Sequence, residues 1–284
     1  MKIAILLLMC VTAAGLTAST DLARTAPLVS DGPGTDATIT VTVLHTFTVP
    51  YASEVLDLGW LSSGYLLFTS IMDHSIFACD PSTGSFVDEL AAYSYNPYPW
   101  GVTYGPSGSV LTTNDYTYSS LFSWSGSDWS QVSNPAGIYG RGIEYDGSAG
   151  VMWEATTTPT GRYLYRFVPG GSPTFYSLSQ PSSFLTGVAV FPLGSGLGVI
   201  LTSYTDLNFY VYQYIGTSLT YVGHTVCPSS PYPPQYSLGL TYSPQRSTFF
   251  WSYKDATGSK ICELSVTVDL ALQPETWGSI KALF

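Results

Sequence analysis

Trp100-Gly101-Val102-Thr103-Tyr104-Gly105-Pro106-Ser107-Gly108 is the stretch that decides the fold. It reads as a glycine, an apolar residue, a small or polar one, an aromatic, and then a turn. The pattern recurs as Arg141-Gly142-Ile143-Glu144-Tyr145, Thr186-Gly187-Val188-Ala189-Val190 and Leu238-Gly239-Leu240-Thr241-Tyr242. A weaker copy, Leu58-Gly59-Trp60, precedes them. From Gly59 onward the glycines are separated by 42, 41, 45 and 52 residues. A period of roughly 40–45 residues is the length of one four-stranded propeller blade.

Each repeat also divides into four strands. In the first, Val55–Leu61 is innermost, Tyr65–Ser70 second, Ser75–Cys79 third and Ser85–Ala91 outermost. Asp80-Pro81-Ser82-Thr83-Gly84 is the turn before the outer strand, where Pro pre-sets φ and Gly accepts positive φ. Thr248-Phe249-Phe250-Trp251 is apolar throughout, as in a strand packed on both faces. The last repeat lacks an outer strand, while Thr38–Pro50 is a strand with no blade of its own. Pairing the two closes a ring and removes two exposed edges. The expected fold is all-β, a propeller of five four-stranded blades closed by the N-terminal strand and spanning residues 38–284. Six blades would need a degenerate copy within residues 38–58 or the C-terminal stretch.

The glycine motif, the Asp-Pro-Ser-Thr-Gly turn and the closing Trp277-Gly278-Ser279-Ile280-Lys281-Ala282-Leu283-Phe284 resemble those of secreted bacterial β-propeller repeat proteins. The likeness covers residues 38–284 and implies architecture, not chemistry. The chain is also distantly similar to plant-type glutaminyl cyclases, which look like five-bladed propellers. None of their catalytic signature is matched residue by residue.

The 284 residues are 45% hydrophobic, enough for a full core, and only 10% charged. A net charge of −10 with no basic cluster argues against nucleic acid as a partner. Lys2, the apolar run Ile3–Val11 and the small residues Thr12–Ser19 read as a secretory signal peptide over residues 1–19, cleaved between Ala14 and Ser19. A lipoprotein reading of Cys10 is weaker, because Met9 stands where a small residue is expected. Residues 20–37 read as a flexible lead-in. A secreted or periplasmic monomer with no membrane span is expected. Export permits one disulfide among Cys79, Cys227 and Cys262; Cys227 with Cys262 is the candidate pair, leaving Cys79 as a buried thiol. His45, His74 and His224 lie far apart, so neither a metal site nor any other cofactor is expected.

Loops that enter the innermost strands share one face of a propeller with loops joining second to third strands. Here those loops are rich in Tyr, Trp and Pro, with carboxylates recurring once per blade. Rigid aromatic rings offer contact area at low entropy cost. The candidate ligand-binding residues are Tyr98, Trp100, Asp115, Arg141, Glu154 and Tyr204. A plainer reading stands beside this one: an Asp after a strand caps its own turn, and aromatics seal gaps between blades. Trp100 could plug the channel and Arg141 could pair with a neighbouring Asp.

Sharper motifs fail. Gly194-Ser195-Gly196-Leu197-Gly198 lies between strands, with no helix to complete a phosphate site. No nucleophile elbow precedes a helix. Asp57, Asp115, Glu144 and Glu154 could form a glycosidase pair, for which geometry is the criterion. The leading expectation is a non-catalytic binding or scaffolding propeller for a carbohydrate, peptide or cell-surface partner. The alternative is a glycan- or peptide-acting hydrolase or cyclase with carboxylates at the channel mouth.

Overall fold

A computed structural model of the chain describes residues 37–114, 117–159, 161–229 and 233–270. The expected signal peptide, nearly all of the expected lead-in, Asp115 and the C-terminal Trp-Gly segment lie outside these residues. Twenty strands form five four-stranded antiparallel sheets. Blade one holds β2 (Leu58–Trp60), β3 (Leu66–Ser70), β4 (Ser75–Cys79) and β5 (Phe86–Ala91). Blade two holds β6 (Pro99–Tyr104), β7 (Val110–Asn114), β8 (Ser120–Trp124) and β9 (Trp129–Ser133). Blade three holds β10 (Gly140–Asp146), β11 (Val151–Thr158), β12 (Gly161–Phe167) and β13 (Thr174–Ser177). Blade four holds β14 (Leu185–Leu193), β15 (Gly196–Ser203), β16 (Asn208–Ile215) and β17 (Ser218–Val226).

Blade five is β18 (Tyr236–Ser243), β19 (Thr248–Asp255), β20 (Gly258–Asp269) and, on its outer edge, β1 (Thr38–Phe47). The N-terminal strand closes the ring, running antiparallel to β20 from Thr38↔Asp269 to Phe47↔Ile261. Ile39, Val41 and Val43 alternate inward onto the core shared by blades four and five, the period-2 pattern of a half-buried strand. Among the described residues, no helix is long and apolar enough to cross a membrane.

The repeated glycine has a specific place in each ladder. Blade two pairs Pro99↔Asn114 and then Val102↔Thr112, so Trp100 and Gly101 together face Thr113. The same two-against-one bulge puts Arg141-Gly142 opposite Ala155, Thr186-Gly187 at Thr202, and Leu238-Gly239 opposite Ser252. In blade one, Leu56 N–H donates to Thr69 O and Thr69 N–H donates to Asp57 O. The equivalent pair is therefore Leu56-Asp57. The sequence pattern put Gly59 in this role; the ladder gives it to Asp57.

The bulges are where neighbouring blades meet. A Cβ on Gly101 would lie 2.1 Å from Arg141 O, on Gly142 2.4 Å from Gly187 Cα, and on Gly239 2.3 Å from Asp57 Cα. Such distances leave no room for a side chain. A hydroxyl on the second strand then latches the seam. Thr113 Oγ1 accepts from Gly101 N–H at 2.8 Å and donates to Arg141 O of blade three at 3.0 Å. Thr69 does the same between Asp57 N–H and Trp100 O, and Ser252 between Gly239 N–H and Leu56 O. Thr202 donates to Leu238 O. At the seam between blades three and four the position is Ala155, and two glycines meet there directly.

Gly142→Ala should therefore cost about 1–3 kcal/mol of stability through overpacking. Gly147→Ala, whose Cβ would sit in ordinary contact 3.7 Å from Tyr145, should change little. Urea-unfolding midpoints of the two variants would show whether this difference exists.

Candidate functional site

Every inner strand begins at the face that carries the entry loops, so the bulge residues Leu56, Trp100, Arg141, Thr186 and Leu238 ring the top of the axis. Arg141 lies with its Cζ 4.3 Å over the Trp100 ring, a cation–π contact. It is only 8% exposed. Trp100 is half-buried, and its carbonyl takes the Thr69 latch. The structure thus brings two of the expected residues together, but against each other rather than outward.

Glu154, on β11 across the ladder from Ile143, is fully buried. Asn134 Nδ2 donates to its Oε1 at 2.7 Å, and Gly140 makes room, since a Cβ there would lie 2.1 Å from that oxygen. Its Oε2 has no hydrogen-bond partner. Burial pushes the carboxyl up to about 8, against the smaller opposing effect of Asn134. In blade two, where Thr112 occupies the equivalent ladder position, Asn96 Nδ2 donates to Thr112 Oγ1 at 3.3 Å. The two Asn anchors tie each entry loop to its second strand. Asn134 was not singled out in the sequence; its only signal was the Asn-Pro turn it opens.

Tyr98 and Tyr204 sit in separate regions. Tyr98 is 41% exposed and packs edge-on to His74, 6.0 Å between ring centroids. His74 Nδ1 bonds Pro97 O, and its ring also meets Tyr93 at 4.8 Å. Tyr95 stacks on Trp129 at 5.6 Å, and Trp129 meets Trp124 at the same distance. Tyr93, Tyr95 and Met72 are all more than half exposed. His74, Tyr93 and Tyr98 form one aromatic group and Tyr95, Trp129 and Trp124 a second, together an aromatic rim over blades one and two. Tyr204, half-buried, stacks on Tyr236 at 4.5 Å across the seam between blades four and five. Glu54 is near it; burial raises the Glu54 carboxyl, although Met72 N–H donates to Oε1 at 3.0 Å. Asp115 lies outside the described residues.

The other loop carboxylates are tied down. Asp73 accepts from Ser53 N–H at 2.7 Å, Ser53 Oγ at 2.6 Å and Ser70 Oγ at 2.7 Å. Asp255 accepts from Thr257 N–H and Oγ1. In both, burial would raise the pKa and these bonds more than reverse it. Asp206 accepts from Tyr210 OH at 2.9 Å. Capping of local structure is what these residues do.

Two further acids lie on the axis. Asp57, with no exposed surface, accepts at Oδ2 from Val102 N–H at 3.1 Å and Ile143 N–H at 3.2 Å. The N–H groups of Leu58 and Leu240 face it more weakly, and Oδ1 makes no hydrogen bond. Burial raises this carboxyl well above its ordinary range in spite of those donors. Glu144 accepts from Thr241 Oγ1 at 2.8 Å and is raised likewise by burial, then by the charges of Asp57 and Asp146.

The expected pairing of Cys227 with Cys262 is not made. Among the described residues, Cys79, Cys227 and Cys262 are all free and buried. Cys227 Sγ lies 4.0 Å from Ser237 Oγ, whereas Cys262 bonds toward Thr46 and Glu263 O. Trp251 lies across the ladder from Cys262 and sends its indole N–H to the same Ser237 hydroxyl. Burial pushes each thiol above its ordinary range. Among the described residues, no group of three or more His, Cys, Asp or Glu could hold a metal ion.

No protein-family model matches the chain, and no curated protein matches it. Solved structures do. A glutaminyl cyclase from Myxococcus xanthus superposes with a TM-score of 0.58 at 14% identity, covering 82% of this chain and 97% of that one. An aldose sugar dehydrogenase from Streptomyces coelicolor gives 0.51 at 13% identity, with 81% and 99% covered. The likeness is one of fold. It shows the propeller fold and carries no residue roles with it.

The buried acids set a pH dependence with a definite sign. Glu154 keeps its proton in the folded protein up to about 8 but in the unfolded chain only to 4.5. Its contribution to stability is complete below the unfolded value and is lost as pH rises toward the folded one. One such proton corresponds to about 1.4 kcal/mol per pH unit over that window. Asp57 and Glu144 act in the same sense. Stability from urea titrations should fall between about pH 5 and pH 8, and Glu154→Gln should make that fall shallower.

Proposed function

We propose that this chain is an exported, non-catalytic binding propeller whose aromatic rim on blades one and two takes a neutral carbohydrate. The observation that carries the reading is the contrast at the mouth. Asp73, Asp206 and Asp255 are bound into local structure, while Tyr93, Tyr95 and Tyr98 present their rings to solvent. From Ala91 to Asn114 the sequence carries no charged residue. Rings flanked by uncharged hydroxyls and amides suit sugar faces better than charged peptides. The apolar run after Lys2 supports export.

Array binding of neutral oligosaccharides is the first test. Tyr95→Ala or Tyr98→Ala should each weaken binding by about 1 kcal/mol, roughly fivefold in Kd. Ser148→Ala, on the opposite face, should leave it unchanged. An unaltered Kd in both Tyr variants would remove the rim from the reading.

A second reading rests on Glu154. Its carboxyl, raised to about 8 and with Oε2 unpartnered, has the protonation a general acid needs near neutral pH. Under this reading the chain turns over glycans or peptides, and Glu154→Gln abolishes turnover while binding persists. Turnover that survives Glu154→Gln would exclude that role.

A further inference from the structure

Asp57 is the one departure from the glycine rule at the bulges. Four inner strands carry Gly101, Gly142, Gly187 and Gly239 at this position, and blade one carries an acid. Its side chain does not stay in its own blade. Oδ2 bridges Val102 N–H of blade two and Ile143 N–H of blade three. Leu240 N–H of blade five faces the same carboxyl, as does Leu58 N–H of blade one. A Cβ on Gly239 would lie 2.6 Å from Oδ1, so blade five closes over the group from the other side. Four of the five blades therefore contact one carboxyl group that has no exposed surface.

Val102, Ile143 and Leu240 each follow the bulge glycine of their blade. The ladder resumes at these residues, which pair with Thr112, Glu154 and Trp251. An inner strand has no neighbouring strand on its axial edge, however, so N–H groups turned to that edge lack a cross-strand partner. Buried N–H groups need an acceptor. Converging donors of this kind form a concave receptor for a carboxyl oxygen, assembled only when the ring is closed.

We propose that the inner strands build an axial receptor for a small carboxyl group, and that Asp57 is its built-in ligand. Asp57 arrives on the segment that joins β1 to β2. The same length of chain thus supplies the outer strand of blade five and the pin at the axis. Closing the ring is then an intramolecular binding event with two attachment points.

The side chain that Asp57→Gly removes has the size of acetate, and the variant restores at blade one the residue the other blades use. In the full-length chain, Asp57→Gly should lower the thermal midpoint. Sodium formate or acetate should then raise it by several degrees beyond sodium chloride of equal ionic strength, because a ligand bound to the folded state stabilises it. Wild type and Asp57→Asn, whose receptors are filled, should show no such difference between formate and chloride. If Asp57→Gly does not fold in chloride, the yield of folded protein on refolding in formate against chloride reads the same rescue. A response of Asp57→Gly to formate no greater than to chloride, or equal to that of Asp57→Asn, would overturn the proposal.

Discussion

Everything in this ring follows from how closely five backbones approach one another around its axis. At each seam a bulge turns two residues of an inner strand against one residue of the second strand, and the next blade packs onto that bulge. Contacts such as the one between Gly142 and Gly187 leave no space for a β-carbon. The approach also buries main-chain groups that the ladder no longer pairs, and each must find a partner. Second-strand hydroxyls of Thr69, Thr113, Thr202 and Ser252 donate to backbone carbonyls of the blade ahead. Glycine makes the proximity possible and the hydroxyl makes it tolerable. The two recur together at the Thr113, Thr202 and Ser252 seams, while glycines alone serve opposite Ala155 and the Thr69 hydroxyl serves the bulge that carries Asp57.

The same proximity sorts the chemistry of the molecule. Side chains borne by inner and second strands near the axis are sealed from water, so Asp57, Glu144 and Glu154 resist ionisation. Arg141 lies with its guanidinium over the Trp100 ring. What remains reachable is carried by loops, and there the balance tips toward rings. The acids of the loops are consumed by turn geometry, as at Asp73 with three donors around it. Recognition by contact area is thus better supported at this mouth than proton transfer.

The architecture was legible because it is written in period and punctuation. Glycine spacing gave the blade length, the Pro-Gly turns gave the strand breaks, and the bladeless Thr38–Pro50 segment pointed to the closure that β1 makes with β20. The first repeat was misaligned by two residues because glycine was the marker. At blade one the bulge position holds Asp57, and only the bonds of Thr69 reveal it. The site was less legible for a general reason. Sequence places Tyr98, Trp100, Arg141, Glu154 and Tyr204 on one face but does not say which side chains turn inward. Arg141 and Glu154 are buried while Tyr98 is exposed, a difference set by seam packing between residues far apart in the chain. The cysteines illustrate the same limit: Cys227 and Cys262 reach one hydrophobic cluster, yet Trp251 takes up the space and the hydrogen bond between their neighbourhoods.

The closure of blade five has an orientational consequence. Thr38 pairs with Asp269, so the chain enters and leaves the ring side by side, on the outermost pair of strands of a single blade. Both points lie at the end of the blade away from the entry loops. Anything attached at Thr38 or at Asp269, whether a tether, a neighbouring module or a solid support, would grip the disc at one place on its rim. The loop-bearing face would then be turned away from the attachment. Two attachments, one at each of these residues, would count as one point of support rather than as two.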